Sequence, residues 1–372
     1  MRIGVVGGGQ LARMMIPAAI QLGLELEVLA ETEDSSARLA ATAVGDTMDL
    51  DTVLAFARGV DVLTFDHEHV PQPVLAALVA AGVTVRPGPA ALQYAQDKLL
   101  MRAKLSELGF PVPDWAPVAT ADELRAFLDD HGGTAILKTA RGGYDGKGVR
   151  VVRDAAEAAD WIAGAAAGGP PLLVEEAVGF TRELAQQVAR RPGGEIAVYP
   201  LVESVQRDGV CAEVIAPAPH AGRSAQAAAR IATGIAEALG VTGMLAVELF
   251  ETDDERILVN ELAMRPHNSG HWSIEGAVTS QFEQHLRAVA DLPLGTPDAR
   301  EPWTVMVNLL GGPAAGTLDS ARRRALGDQP GAAVHLYGKS PRPGRKIGHV
   351  TVTGADLDDV VYRARAAAAP FA

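Results

Sequence analysis

The chain reads as a multidomain protein, α/β in its first part and α+β in the rest, and three observations predict this. Its 372 residues exceed one ordinary domain of roughly 100–200 residues. Strand-like and helix-like runs alternate up to position 85, the signature of a parallel sheet with helices on both faces. From position 134 onward short β-rich runs dominate instead.

Residues 2–6 are a β-type run, Gly7-Gly8-Gly9 break it, and Gln10 to Leu22 reads as helix. A strand follows at Glu25 to Ala30, a helix at Asp51 to Arg58, and a strand at Val60 to Phe65. A proline-opened helix spans Pro71 to Ala81, a strand Val83 to Val85, and Pro87-Gly88-Pro89 closes the unit. Helix Asp97 to Leu108 stops at Gly109, and the prolines of 110–117 mark a boundary. Strands are expected at 134–139, 149–153, 172–178, 182–190, 196–203 and 210–216, with helices at 154–165 and 222–239. A strand pair at 243–251 and 256–262 and a helix at 279–290 precede a second boundary at 292–297. The tail, 303–372, carries three strand candidates and an alanine-rich terminal helix.

Composition narrows the function. A hydrophobic fraction of 48% supplies a core and argues against disorder. A net charge of −13 excludes a chain-wide grip on nucleic acid or an anionic membrane, so an anionic substrate needs local basic clusters. Cys211 is the single cysteine, so no intrachain disulfide forms and a reducing compartment fits. No run approaches the ~18 uncharged apolar residues of a transmembrane helix, and MRIGVVGGGQ lacks the apolar core of a signal peptide. A soluble, cytoplasmic protein with no nucleic-acid or membrane partner is expected.

Four segments carry chemistry. Gly7-Gly8-Gly9-Gln10-Leu11-Ala12 fits G-x-G-x-x-A between a strand and a helix, with Glu31 where a ribose-binding acid would sit. The turn suits a phosphate at a helix N-terminus, a dinucleotide, or simply a tight connection with no ligand. In Lys138-Thr-Ala-Arg141-Gly142-Gly143-Tyr144-Asp145-Gly146-Lys147-Gly148 a strand delivers Lys138 into a glycine-rich flap with cations and returns as a strand. Such a flap closes over polyphosphate; an exposed hairpin tip has no use for so many glycines. Glu175-Glu176 and Glu183 flank a strand end, either solvated or reading a nucleoside.

Glu248 and Glu261 lie on two strands joined by the turn Thr252-Asp-Asp-Glu-Arg256. Pairing Thr252 with Ile257 sets Glu248 opposite Glu261 on one face. Two such charges ~4 Å apart repel by about 4 kcal/mol at an effective dielectric of 20. A divalent cation with Asn260 nearby removes the repulsion, as does a private Arg or Lys for each, Arg265 for example. Arg265-Pro-His267-Asn268-Ser269-Gly270 is an irregular polar loop suited to an anionic substrate. Lys339, Arg342, Arg345 and Lys346 form a basic cluster that is either a solubilising tip or a phosphate grip.

These segments together resemble the ATP-grasp enzymes, and among them the N5-carboxyaminoimidazole ribonucleotide synthetases of bacterial and fungal purine biosynthesis. The strings that carry the resemblance are GGGQLARM at 7–14, QDKLLMR at 96–102, KTARGGYDGKG at 138–148, EEAVGFTRE at 175–183, VNELAMRPHNSGHW ending at 272, TSQFEQHLRAV at 279–289 and YGKSPRPGRKIGHV at 337–350. The resemblance implies a Rossmann-like N-terminal domain (1–95), a two-part ATP-grasp module (96–295, the flap-bearing part about 110–175 and the catalytic part about 176–295) and a small C-terminal mixed β domain (296–372). It implies a homodimer and a ligase that uses ATP to activate bicarbonate and carboxylates 5-aminoimidazole ribonucleotide, with Mg2+ (Mn2+ as a substitute) on Glu248 and Glu261. A formate-using ribonucleotide transformylase and a nicotinamide oxidoreductase are the alternatives.

Carried over by position, Lys98, Lys138, Gly143, Tyr144, Asp145, Gly146, Lys147, Gly148, Glu175, Glu176, Ala177, Val178, Glu183, Gln206, Asn260 and Glu261 would bind ATP. Gly8, Gly9, Gln10, Leu11, Glu68, Tyr144, His267, Asn268, Ser269, Lys339 and Arg345 would bind substrate, and Asp145, Arg265 and Lys339 would act in catalysis. The chain departs from the family pattern at Lys98 (usually arginine), at Asp66-His67, at Gln206 (often histidine) and at Met264 (usually proline).

Overall fold

A computed structural model describes residues 1–143, 148–207 and 209–372. The first sheet is parallel, in the order β3-β2-β1-β4, built from β1 (Arg2–Val6), β2 (Glu25–Ala30), β3 (Ala41–Val44) and β4 (Val62–Phe65). Helix Gln10–Leu22 leaves the glycine turn after β1 and ends at Gly23, whose φ of 65° suits a residue without a Cβ. Asp66, just past β4, accepts from the Ala12 N–H at 2.6 Å and so neutralises the start of that helix. The expected strand at 83–85 reduces to a single bridge between Val85 and Leu63.

The second sheet is antiparallel, β5-β8-β6-β7, from β5 (Trp115–Val118), β6 (Ala135–Thr139), β7 (Val149–Val152) and β8 (Leu172–Glu176). It has its own core around Leu124, Leu137, Val152 and Val174. β6 and β7 carry the flap between them, with Lys138 opposite Val149. Tyr144, Asp145, Gly146 and Lys147 lie outside the described residues.

The third sheet has nine strands: β9 (Phe180–Arg190), β10 (Ile196–Val198), β11 (Val202–Arg207), β12 (Val210–Ala216), β13 (Gly243–Thr252), β14 (Ile257–Ala263), β15 (Trp303–Leu310), β16 (Ala333–Leu336) and β17 (Lys346–Gly354). Its main path runs β14-β13-β9-β11-β12-β15-β17-β16, and β10 pairs β9. The C-terminal strands therefore extend the catalytic sheet through β12 and β15 while keeping a separate core with helix Leu357–Ala368. The single strand expected at 196–203 divides because Tyr199 turns inward to donate to Thr279 O at 2.9 Å, and Pro200 has no N–H for the ladder.

Helices Pro89–Gln96, Ala121–Asp130 and Leu318–Asp328 and strands β3 and β5 add to the expected elements. Ala121–Asp130 starts at a complete capping box of Thr120 and Glu123, and Pro89–Gln96 has proline at its start. Helix Gln281–Val289 packs against the first sheet and β13 at once. His285 accepts from Met244 N–H at 3.1 Å, which leaves its Nε2–H for Thr64 Oγ1 at 2.9 Å. Among the described residues no helix is long and apolar enough to cross a membrane.

Candidate active site

The hairpin of β13 and β14 sets Glu248 opposite Glu261, but by a different register from the expected one. Ile257 pairs with Glu251 rather than Thr252, and the ladder shifts so that Leu249 faces Val259 while Glu248 faces Glu261. Asn260 is the extra residue of this bulge, and it puts both its polar groups to use. Its carbonyl accepts from Arg102 Nη2 at 2.7 Å and its side-chain oxygen from Lys138 Nζ at 3.1 Å.

Around the bulge the charges are paired in the interior. Arg102, with 0% exposure, donates through Nε to Glu175 at 2.6 Å, and Lys138 meets the other Glu175 oxygen at 2.6 Å. Burial pushes the Glu175 carboxyl up, but Arg102 and Lys138 outweigh it and hold it below the usual range. Both Glu175 oxygens are thus engaged inside the protein, and Lys138 loses basicity through burial despite its acid partner. Lys98 meets Glu261 at 2.6 Å. Lys98 and Arg102 share one helix face four residues apart, and that spacing was the available sign that Arg102, not singled out above, belongs to this network.

Among the described residues Glu248 has only His267 within ion-pairing distance. Burial, then the nearby Glu261 and Glu183 carboxylates, push it up to about 7. A pair of hard oxygen donors short of positive charge fits a divalent cation that completes its shell with phosphate oxygens. Among the described residues no group of three or more His, Cys, Asp or Glu could hold a metal on its own, so a cation here depends on substrate oxygens. Glu183 is raised by burial and takes a hydrogen bond from Gln206, which also donates to Ser204. Glu176 accepts from the Asp114 N–H at 3.2 Å, and Val178 N–H donates to Glu176 O at 3.0 Å in a tight turn around Ala177. Gly148 (φ 73°) leaves no room for a side chain, since a Cβ would stand 2.4 Å from Thr139 Oγ1; Gly143, described at the other end of the flap, precedes the undescribed positions.

The polar loop adjoins the carboxylate pair. His267 Nε2 lies 3.5 Å from Glu248. Its Nδ1 meets Ser269 Oγ at 2.8 Å and the Ser269 N–H at 3.4 Å, and Gln187 Nε2 donates to the same Oγ at 2.8 Å. The serine hydroxyl therefore donates to Nδ1, and neutral His267 carries its proton on Nε2, toward Glu248. Burial, then Arg265 and Lys346, push the His267 pKa down to about 3. Ser269 is buried and both sides of its hydroxyl are used internally, so it positions His267 and does not line a cavity. Gln187 was not anticipated; paired glutamines in the apolar run LAQQVA were its sign. Asn268 is buried, and among the described residues neither of its amide atoms has a partner at hydrogen-bond geometry. Arg265 is claimed by Glu68 at 2.7 Å, so it is not the private partner of either hairpin carboxylate. Lys346, read only as part of the basic cluster, lies close enough to Glu248 and His267 to lower both.

At the glycine turn, Gly8 N–H donates to Glu31 at 3.0 Å, and Glu31 meets His67 at 3.3 Å. The His67 hydrogen bond, then that of Gly8, outweigh burial and hold Glu31 down at about 2. Glu31 is thereby occupied and offers no free carboxylate to a ribose. Gly9 admits no side chain because a Cβ would lie 1.9 Å from Asp66 Oδ2, and Leu11 is buried. Lys339 Nζ donates to Gln10 Oε1 at 2.7 Å, so the C-terminal cluster and the N-terminal turn meet although 329 residues separate them. Arg345 Nη1 donates to Ser340 O at 3.2 Å.

Comparisons with known proteins agree along the whole chain. The ribonucleotide synthetase preATP-grasp domain matches residues 1–96, the ATP-grasp domain residues 103–282 and the phosphoribosylaminoimidazole carboxylase C-terminal domain residues 304–363. The N5-carboxyaminoimidazole ribonucleotide synthase of Mycobacterium tuberculosis is 52% identical over 371 residues, covering 98% of this chain and 86% of its own. That of Corynebacterium ammoniagenes is 50% identical over 374 residues, covering 98% and 91%. The crystal structure of N5-carboxyaminoimidazole synthase from Aspergillus clavatus in complex with ADP and 5-aminoimidazole ribonucleotide has a TM-score of 0.89 at 31% identity, covering 99% of this chain and 98% of that one. The Thermus thermophilus synthetase has a TM-score of 0.87 at 38% identity, covering 98% and 97%.

Proposed function

This chain belongs to the N5-carboxyaminoimidazole ribonucleotide synthase family of ATP-grasp ligases, and from that membership we propose how its residues divide the work. The protein is an ATP-dependent ligase of purine biosynthesis that carboxylates 5-aminoimidazole ribonucleotide. The observation that carries the proposed layout is the contact of His267 with Glu248, which joins the anion-binding loop to the carboxylate pair.

A bicarbonate oxygen attacks the γ-phosphorus of ATP and ADP leaves, giving carboxyphosphate. The N5 amine of the ribonucleotide then bonds to the carboxyl carbon, phosphate departs, and the amine loses a proton. Lys138, with Gly143, Gly148 and the flap residues Tyr144, Asp145, Gly146 and Lys147, holds the ATP phosphates. Asp145 is assigned to orient the amine. The backbone of Glu175, Glu176, Ala177 and Val178 reads adenine, because the Glu175 carboxylate is already satisfied. Glu183 and Gln206 face the ribose. Glu248 and Glu261 would hold Mg2+ or Mn2+, which when bound supplies positive charge to the phosphate oxygens. Arg265 and the His267 Nε2–H bind the carboxyl oxygens, and Asn268 offers its unpaired amide to them. Glu68, Gln10 and Lys339 face the ribonucleotide, with Arg345 on its phosphate. Carboxyphosphate hydrolyses readily, so flap closure must exclude water.

ADP release with each component omitted in turn tests this reading. It is expected only when ATP, Mg2+, bicarbonate and the ribonucleotide are all present. Equal release with formate in place of bicarbonate would sink it. We also read the chain as a cytoplasmic homodimer on the strength of the family resemblance, which sedimentation at micromolar concentration checks.

A further inference from the structure

The string TSQFEQHLRAV at 279–289 supplies no residue to the layout above, yet its Gln281 holds the anion-binding loop directly. Gln281 is the first residue of helix Gln281–Val289 and is buried. His267 lies beside it in extended backbone, with φ −124° and ψ 156°. That conformation turns the N–H and C=O of one residue to the same side, as along a strand edge. The Gln281 amide meets both. Its Oε1 accepts from the His267 N–H at 2.9 Å, and its Nε2 donates to His267 O at 2.8 Å. The backbone pair decides which end is oxygen, because a flipped amide would set NH2 against the N–H and oxygen against the carbonyl. The second Nε2 proton goes to His271 Nδ1 at 2.9 Å. His271 is neutral, since burial pushes its pKa well down, and it carries its own proton on Nε2.

The clamp is braced on both sides. The Gln281 N–H donates to Ser273 Oγ at 2.9 Å, and that hydroxyl donates to Gly270 O at 2.6 Å. Gly270 lets the amide through, because a Cβ there would stand 2.2 Å from Gln281 Oε1. Behind Gln281, Phe282, Leu286 and Val289 share a buried core with Leu11 and Met15 of helix Gln10–Leu22. Burying a glutamine costs rotamer entropy and desolvation, so its full set of bonds has to offset that. Gln187 and Ser269 set which nitrogen of the His267 ring carries the proton. The backbone from which the ring hangs is held by Gln281.

We propose that Gln281 is a positioning residue for the carboxylation: by clamping the backbone of residue 267 it fixes where the His267 Nε2–H meets the carboxyl oxygens, and residue 270 must be glycine for the clamp to form. The role of His267 rests on the function proposed above; the clamp rests on the amide geometry.

Steady-state ADP release by the full chain, with bicarbonate and ATP varied in turn, compares the natural protein with Gln281→Ala, Gln281→Glu and Gly270→Ala. Gln281→Ala removes the clamp, Gln281→Glu keeps its acceptor and loses its donor, and Gly270→Ala displaces the glutamine without altering it. Each is expected to lower kcat/KM for bicarbonate about tenfold to a hundredfold and to leave the ATP KM within about twofold. Gly270→Ala should add no further loss to Gln281→Ala, because the new methyl then meets no amide. Nitrogen spectra of the histidine rings, with His267 assigned through His267→Asn, are expected to show one fixed Nε2–H tautomer in the natural protein and an averaged signal in the variants. Should Gln281→Ala not fold, Gln281→Glu and Gly270→Ala carry the test. Unchanged kcat/KM for bicarbonate in the folded variants overturns the proposal, as does an equal loss for bicarbonate and ATP, which marks a general structural role. If the natural protein releases ADP without bicarbonate, the ligase reading falls and the ring spectra decide the clamp. An unmoved His267 signal in Gly270→Ala then overturns it, and an averaged one upholds it.

Discussion

Beside the hairpin of β13 and β14, Arg102 and Lys138 meet Glu175 and Lys98 meets Glu261, each within 2.6 Å. At the glycine turn, Glu31 and Asp66 instead accept from the backbone N–H groups of Gly8 and Ala12, and Glu31 also meets His67. The first region is balanced before any ligand arrives, except for Glu248. The second leans on backbone N–H groups and a single histidine. The difference teaches that a preassembled network suits the end where geometry must be fixed for phosphoryl transfer. Carboxylates set on backbone N–H groups suit a turn whose glycines must stay closely packed.

The sharpest way to break this contrast is at Glu248. Glu248→Gln and Glu261→Gln are each expected to lower turnover about a hundredfold or more, since each removes an anchor for charge on the transferring group. Thermal stability without ligands should hold or rise in Glu248→Gln, because the like-charge repulsion that pushes Glu248 up is relieved, whereas Glu261→Gln also gives up the Lys98 ion pair. Near-normal turnover at ordinary Mg2+ in either variant would reject the metal assignment.

A second test removes the balance at the ATP end. Arg102→Met leaves Glu175 with Lys138 alone in the interior and takes away a donor to the Asn260 bulge. Breaking such a buried pair typically costs about 3–5 kcal/mol, to be read from urea unfolding. A loss under about 1 kcal/mol would show that the network carries little of the fold's stability.

The smallest effect concerns the carboxylates of the glycine turn. Glu31 is held at about 2, so its contribution is present above its ordinary 4.5 and lost as pH falls toward 2. The raised His67 contributes fully below its ordinary 6.5 and less as pH climbs through its higher value. Their joint stabilisation is therefore greatest between about 4.5 and 6.5. Glu31 is 46% exposed, so solvent screening limits Glu31→Gln to about 1 kcal/mol there. A stability difference that does not vary with pH would refute the pairing.

Much of this was legible in the sequence because it is local. Alternation along the first 85 residues predicts the parallel sheet, and the strands on either side of the glycine-rich stretch after Lys138 stand where the sequence places them. The opposition of Glu248 and Glu261 was reached from a turn that is not used. A hairpin count cannot see the bulge at Asn260, and the bulge offsets the one-residue error in the turn. Helix Ala121–Asp130 was overlooked although Thr120 and Glu123 spell its cap, since the prolines before it were read as a linker. The ion-pair network was hidden for a different reason. Arg102 and Glu175 are 73 residues apart and Lys98 and Glu261 are 163 apart, and no local pattern records which distant charges meet.

The unbroken path from β14 to β16 has a mechanical consequence. A hydrogen-bonded sheet resists shear between its strands, so Glu248 on β13 and the basic segment leading into β17 form one stiff frame. The chain enters the separate flap-bearing sheet through 109–114 and leaves it through 177–179, and that sheet has its own core. Lys138 on β6 and Glu175 on β8 are nonetheless tied to Asn260 and Arg102, so a swing about those two crossings has to open that buried network first.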